Sequence, residues 1–148
     1  MPIDEKGVNK IRSVFRKIPY FANMTFGELD IILDKLNKKI YKKGTEIITE
    51  GEKGFALYFI YSGHVSIWND TEETKGFFKK KPVRNKIAEL HEGEFFGETA
   101  LFNDEPRDAT VIAETKLTTF ELNKKEFDEI LMKNPGIREG IKKEMERR

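Results

Sequence analysis

Two side chains in the stretch Gly93 to Val111, GEFFGETALFNDEPRDATV, are suited to holding a small anionic ligand: the carboxylate of Glu98 and the guanidinium of Arg107. Arginine presents a planar fork of donors that matches two phosphate oxygens, a geometry lysine does not reproduce. An ionised glutamate only accepts, so Glu98 suits a sugar hydroxyl. Gly97, just before it, lets the backbone approach a ligand with no Cβ in the way. A short helical turn starting near Glu98 would point unpaired N–H groups outward and make an anion site of the main chain. Together these groups read an anion and a neighbouring hydroxyl separately, which is the chemistry of a sugar phosphate. The competing arrangement is an internal ion pair between Glu98 and Arg107. Partly exposed pairs contribute only about 0–1 kcal/mol, a weak reason for placing both groups here.

The elements that must hold these residues follow from periodicity. Phe95 and Phe96 lead into the glycine turn, Thr99 and Ala100 are small, and Leu101 and Phe102 follow. A Pro106-Arg107 corner then enters Ala109, Thr110, Val111 and Ile112, a buried strand. At the start of the chain, Val8, Ile11, Val14, Phe15 and Ile18 repeat at helical spacing, with Asp4 as a cap and Pro19 as the stop. Thr25 caps a second helix, with Glu28 completing a capping box and Leu29, Ile32, Leu33 and Leu36 on its buried face.

From Lys39 the pattern changes to short β-rich runs divided by glycine: Ile40-Tyr41, Glu46 to Thr49, Phe55 to Tyr61 and His64 to Trp68. Turns at this spacing predict a jelly-roll-like antiparallel β-barrel. Asn69 to Lys86 is polar and reads as an elongated hairpin loop. Its Lys79-Lys80-Lys81-Pro82 run is a solvated loop or a partner site, and Phe77 and Phe78 either fold back or mark a contact surface. Val111 to Leu122 supplies the closing strands, and Asn123 caps a helix over Lys124 to Lys133 with Phe127, Ile130 and Leu131 inward. Pro135-Gly136 breaks it, and Ile137, Ile141 and Met145 form one stripe of a last helix. The expected fold is mainly β with flanking α-helices: helices over about 4–37, a barrel over about 39–122 and C-terminal helices over about 124–148, in one domain.

The 148 residues suffice for one domain with a real core. With 38% hydrophobic and 36% charged residues the chain reads as soluble, and a formal net charge of +1 argues against a general nucleic-acid or anionic-membrane surface. Cysteine is absent, which excludes disulfides and thiol chemistry. No apolar run approaches a membrane span and no signal peptide opens the chain, so a cytoplasmic setting is expected. A metalloenzyme barrel would need clustered imidazoles, whereas His64 and His91 are the only histidines and read as surface or strand-end residues. No serine sits in a glycine-framed elbow. Neither catalytic residues nor metal ligands are expected.

The string Phe96 to Val111, FGETALFNDEPRDATV, resembles the phosphate-binding cassette of the cyclic nucleotide-binding domain family. That family is found in cyclic-nucleotide-dependent kinase regulatory regions, catabolite-activator-type transcription factors and gated channels. The separation of Gly97-Glu98 from Arg107 fits the cassette without insertion or deletion. Gly44-Thr45-Glu46-Ile47-Ile48, Glu50-Gly51-Glu52, Gly54, Leu57-Tyr58 and Ser62-Gly63 fall in the family's order, so the resemblance covers Ile18 to Ile137.

The resemblance implies a sensor domain that binds cAMP or cGMP and needs no other cofactor. It places Glu98 on the ribose 2′-hydroxyl and Arg107 on the cyclic phosphate. Backbone N–H groups of Gly97, Ala100, Leu101 and Asp108 complete the cradle, within a cassette that also holds Thr99 and Ala109. Ligand binding would draw the cassette inward, shift Leu101 and Phe102, and reposition the helix beginning near Asn123. A C-terminal helix often supplies a lid over the base, so Ile137, Ile141 and Met145 are lid, dimer stripe or core. No helix-turn-helix follows, so direct DNA binding is not expected, and the effector domain or partner protein is not visible. The rival is a protein-interaction or scaffold module with the same fold and a weak or lost nucleotide site.

Asp108 departs from the family's usual Ala, Thr or Ser. A carboxylate ~5 Å from the phosphate would repel it by roughly 3 kcal/mol at an effective dielectric of ~20, about two decades of affinity. The opposite outcome follows from the resemblance, in which a Thr at this position meets the edge of a syn guanine: a carboxylate would accept from guanine N1–H and N2–H₂ together and favour cGMP. A third outcome is local pairing with Arg107 or a lysine.

Overall fold

Strand alternation divides the β-rich middle of the chain between two sheets. The computed structural model describes residues 5–53, 56–75, 79–102, 107 and 109–146. One sheet has the order β1 (Asn37–Tyr41), β8 (Leu117–Asn123), β3 (Ala56–Ser62) and β6 (Phe95–Phe96). The other has β2 (Glu46–Ile48), β7 (Thr110–Ala113), β4 (Val65–Lys75) and β5 (Lys79–Leu90). All pairs are antiparallel. The jelly-roll-like layout expected from the glycine-punctuated runs thus takes the form of two four-stranded sheets among the described residues.

The side-chain period of two sends alternate residues of β3 to different cores. Leu57 and Phe59, with Phe120 and Leu122 of β8, join the helices. Ile60, with Leu117, Phe96, Ile48, Val65, Val111 and Ala113, fills the space between the sheets, and Tyr58 packs against it. The helical core gathers α1 (Glu5–Phe15), a 3₁₀ turn at Pro19–Phe21, α2 (Phe26–Leu33), α3 (Lys124–Lys133) and α4 (Pro135–Glu146). Phe15, Phe21, Phe59 and Phe127 are fully buried there, each contributing about 1.5–3 kcal/mol by leaving water.

Local chemistry sets the helix ends. Thr25 and Glu28 form the capping box reciprocally, and the Asn123 side chain accepts from the Glu126 N–H at 2.8 Å. Asp4 lies outside the described residues. Pro135 opens α4 as well as following α3, since its missing N–H costs nothing in a first turn.

One expectation is corrected. Residues 69–75 and 79–86 are not loop: they continue β4 and β5 as a two-stranded ribbon, in register from Asn69↔Asn85 to Lys75↔Lys79. The pairing of β4 with β7 stops at Trp68↔Thr110, so beyond that point no third strand imposes a buried face among the described residues. Without one the polar and apolar residues need not alternate, which is why the sequence looked like a loop. Lys79, Lys80, Lys81 and Pro82 therefore belong to β5, while Phe77 and Phe78 lie outside the described residues.

Candidate functional site

Gly97 sits at φ 83°, a conformation that side chains with a Cβ rarely adopt. A Cβ there would lie 2.7 Å from the Ala56 carbonyl oxygen and 3.1 Å from Arg107 Nη1. The glycine thus serves a close approach within the protein itself, between the 3₁₀ turn Glu98–Leu101 and β3. Through that gap the guanidinium of Arg107 reaches two backbone carbonyls: Nη2 donates to Ala56 at 3.0 Å and Nη1 to Gly97 at 3.3 Å. Neutral carbonyls orient the group in a fixed plane.

The backbone of Arg107 is held as firmly. Gly51 N–H donates to the Arg107 carbonyl at 2.8 Å, and Arg107 N–H donates to the Glu52 carbonyl at 2.7 Å. Nearby, Glu50 N–H donates to Thr110 Oγ1 at 3.0 Å, and the Glu50 carboxylate accepts from Asp70 N–H at 2.7 Å. The segment between β2 and β3 is thereby fastened to the arginine and to the base of the ribbon.

A cavity of about 120 Å³ opens beside this junction. Ile47, Ile48 and Tyr58 give it an apolar side; Thr49, Glu52, Lys53 and Arg107 give it a polar one. Tyr58 stacks on Phe96 with ring centroids 4.7 Å apart and planes 4° apart. Burial and then the charge of Glu121 push the Tyr58 phenol pKa up, against the opposing pull of Arg107. Glu121 itself is 4% exposed. It accepts from the Tyr41 hydroxyl at 2.5 Å and Thr119 Oγ1 at 2.8 Å, with Lys39 Nζ at 3.6 Å.

The predicted residues fall as follows. Glu98, Thr99, Ala100 and Leu101 form the 3₁₀ turn; Glu98 is half-buried, and Ala100 and Leu101 are buried. No hydrogen bond or ion pair joins Glu98 to Arg107, both of them described residues. The Ala100 N–H, expected in the ligand cradle, donates to the Gly97 carbonyl at 3.1 Å. Ala109 is half-buried, and Asp108 lies outside the described residues. Leu101 belongs to the helical core, and Phe102 packs against it, with its ring 5.6 Å from that of Phe127 in α3.

Ile137 and Ile141 are buried in the helical core and Met145 is exposed, so none of the three reaches the cavity beside Arg107. The structure also stacks the rings of His64 and His91 at 5.0 Å, a contact their separation in sequence conceals. Among the described residues no group of three His, Asp or Glu side chains forms a metal-binding cluster. Sequence reasoning did not single out Thr49, Lys53 or Tyr58 as site residues. The available signal was that Glu50-Gly51-Glu52 and Leu57-Tyr58 stood in the family's order.

These residues define a class first: a two-sheet β-domain in which an arginine, hung on the carbonyls around a left-handed glycine, lines a small cavity. The family model for the cyclic nucleotide-binding domain matches residues 38–134, and the chain belongs to that family. It is 34% identical over 129 residues to a cAMP-dependent protein kinase regulatory subunit of Yarrowia lipolytica, covering 84% of this chain and 32% of that protein. It is 33% identical over 138 residues to the potassium/sodium hyperpolarization-activated cyclic nucleotide-gated channel 2 of Mus musculus, covering 93% of this chain and 14% of the channel. The chain thus spans a third or less of these curated relatives. A solved structure of cAMP-bound PfPKA-R superposes with a TM-score of 0.74 at 32% identity, over 88% of this chain and 43% of that one. The Thermus thermophilus catabolite activator protein shares the fold, with a TM-score of 0.64 at 24% identity over 87% of this chain and 57% of that one. No described helix is long and apolar enough to cross a membrane.

Proposed function

We propose that this chain is a regulatory module that takes up a 3′,5′-cyclic nucleotide, cAMP or cGMP, and passes the event to its C-terminal helices. The observation that carries the reading is the placement of Arg107, its guanidinium oriented by two backbone carbonyls on the wall of a small cavity. Arg107 holds the cyclic phosphate and Glu98 the ribose 2′-hydroxyl. Gly97, Ala100, Leu101 and Asp108 offer backbone N–H groups, and Thr99 and Ala109 complete the cassette. For Ala100 this requires its N–H to leave the Gly97 carbonyl, so uptake remodels the 3₁₀ turn. Leu101 and Phe102 move with that turn, and their packing against the helical core, Phe127 included, carries the displacement to α3 and α4. The ligand shifts this equilibrium only by its differential affinity for the two arrangements.

Calorimetric titration with cAMP and cGMP tests the reading. Wild type binds at least one nucleotide, and Arg107→Ala, which removes the bidentate charge-assisted donors, binds it roughly 100-fold more weakly or not at all. Asp108→Ala decides the base preference: a cGMP preference lost in that variant assigns Asp108 to the guanine edge. Wild-type protein that takes up neither nucleotide refutes the proposal and leaves the interaction-module alternative.

A further inference from the structure

We propose that the Tyr58 hydroxyl is a ligand-contacting group of this site, a neutral donor beside Arg107 that hydrogen-bonds the same phosphate; this rests on the cyclic-nucleotide reading above.

Tyr58 and Arg107 line one cavity and close on the same glycine: a Cβ at Gly97 would lie 3.1 Å from Arg107 Nη1 and 3.2 Å from Tyr58 Cδ2. One other hydroxyl lines the cavity, and it is already engaged. Thr49 gives its hydroxyl to Glu46 at 3.0 Å. Glu52 and Lys53, also in the lining, carry opposite charges that leave its net charge unaltered. Tyr41, also close to Glu121, spends its hydroxyl on that carboxylate, whereas the Tyr58 hydroxyl makes no hydrogen bond among the described residues.

Tyr58 is also pre-positioned. Its ring stacks flat on Phe96, and β3 pairs it with Phe96 on one side and Glu121 on the other. A donor locked by packing meets its acceptor without loss of rotamer freedom. Burial and the Glu121 charge keep the phenol protonated, so it donates across the working pH range. An anionic oxygen is the acceptor that gains most from such a donor.

Tyr58→Phe removes only the hydroxyl and keeps the ring on Phe96. Titration of wild type, Tyr58→Phe and Arg107→Ala with cAMP and with cGMP is expected to show roughly tenfold weaker binding in Tyr58→Phe for every nucleotide the wild type takes up. The urea midpoint stays at the wild-type value, because the hydroxyl has no internal bond to lose. Unchanged affinity in Tyr58→Phe, alongside loss in Arg107→Ala, overturns this inference and leaves the cyclic-nucleotide reading standing. A loss for one nucleotide with none for the other, where wild type binds both, also overturns it, since that marks a base contact. Wild type that binds neither nucleotide removes both readings.

Discussion

Replacing Gly97 by alanine should cost the protein stability for a reason independent of any ligand. An alanine at φ 83° bears the left-handed penalty of about 1–2 kcal/mol. Its Cβ would also stand 2.7 Å from the Ala56 carbonyl oxygen, well inside van der Waals contact, so β3 and the turn must separate. Overpacking of this kind typically adds about 1–3 kcal/mol. The sum is about 3 kcal/mol, a fall in Tm of roughly 6–12 °C for a chain of this size. Gly44→Ala is the matched control: φ is 89°, but nothing lies within 4 Å of the added Cβ, so only the conformational penalty remains. Thermal or urea denaturation followed by fluorescence of Trp68, the single tryptophan, measures both. Equal losses in the two variants would refute the steric account. A larger loss at Gly97, with Arg107 displaced as well, would show that the turn and the arginine are set by one contact.

Two further outcomes follow from charges away from the cavity. Tyr41→Phe takes a donor from the buried Glu121 carboxylate and should lower stability by about 1–3 kcal/mol in urea denaturation at neutral pH, a cost expected to shrink when Glu121→Leu is added. The Lys10 ammonium bonds Glu92 and the Tyr61 carbonyl, and the hydrogen bond from Lys10 holds the Glu92 carboxyl below the usual glutamate range. A lowered carboxyl contributes stability above its ordinary value and loses it as the pH falls through the lowered one. In Lys10→Met the Glu92 titration midpoint, followed by NMR, should rise to the ordinary range; an unmoved midpoint would show that Lys10 is not the cause.

What could be read from the chain depended on how local the cause was. Thr25 and Asn123 announced two helix starts because a cap is decided within four residues, and both side chains accept the expected N–H. The helical stripe Leu29, Ile32, Leu33 and Leu36 is buried as its spacing indicates. The ribbon past Trp68 escaped notice because pattern reading detects a strand by its buried face, and no third strand supplies one there. At the site, glycine before glutamate and an arginine nine residues on made the family legible, and Gly97 and Arg107 do meet in the fold. The carbonyls that orient the guanidinium come from Ala56 and Gly97, and the main-chain exchange comes from Gly51 and Glu52. Backbone groups leave no signature in side-chain identity, so that half of the site had to be seen folded. The His64–His91 stack was hidden for a related reason: the segments either side of a long ribbon meet only once the ribbon closes.

Past Trp68 the ribbon of β4 and β5 pairs with no third strand among the described residues. Its reach is consequently a dimension the rest of the molecule does not fix. Deleting the cross-strand couples Thr71 with Val83 and Glu72 with Pro82 would shorten it by about 7 Å while keeping every remaining residue on its own side of the sheet. Lengthening by the same step is equally neutral for the arginine junction. Any surface that must be met at a set distance from the cavity can be matched by adjusting this one hairpin, with the carbonyls that orient Arg107 untouched.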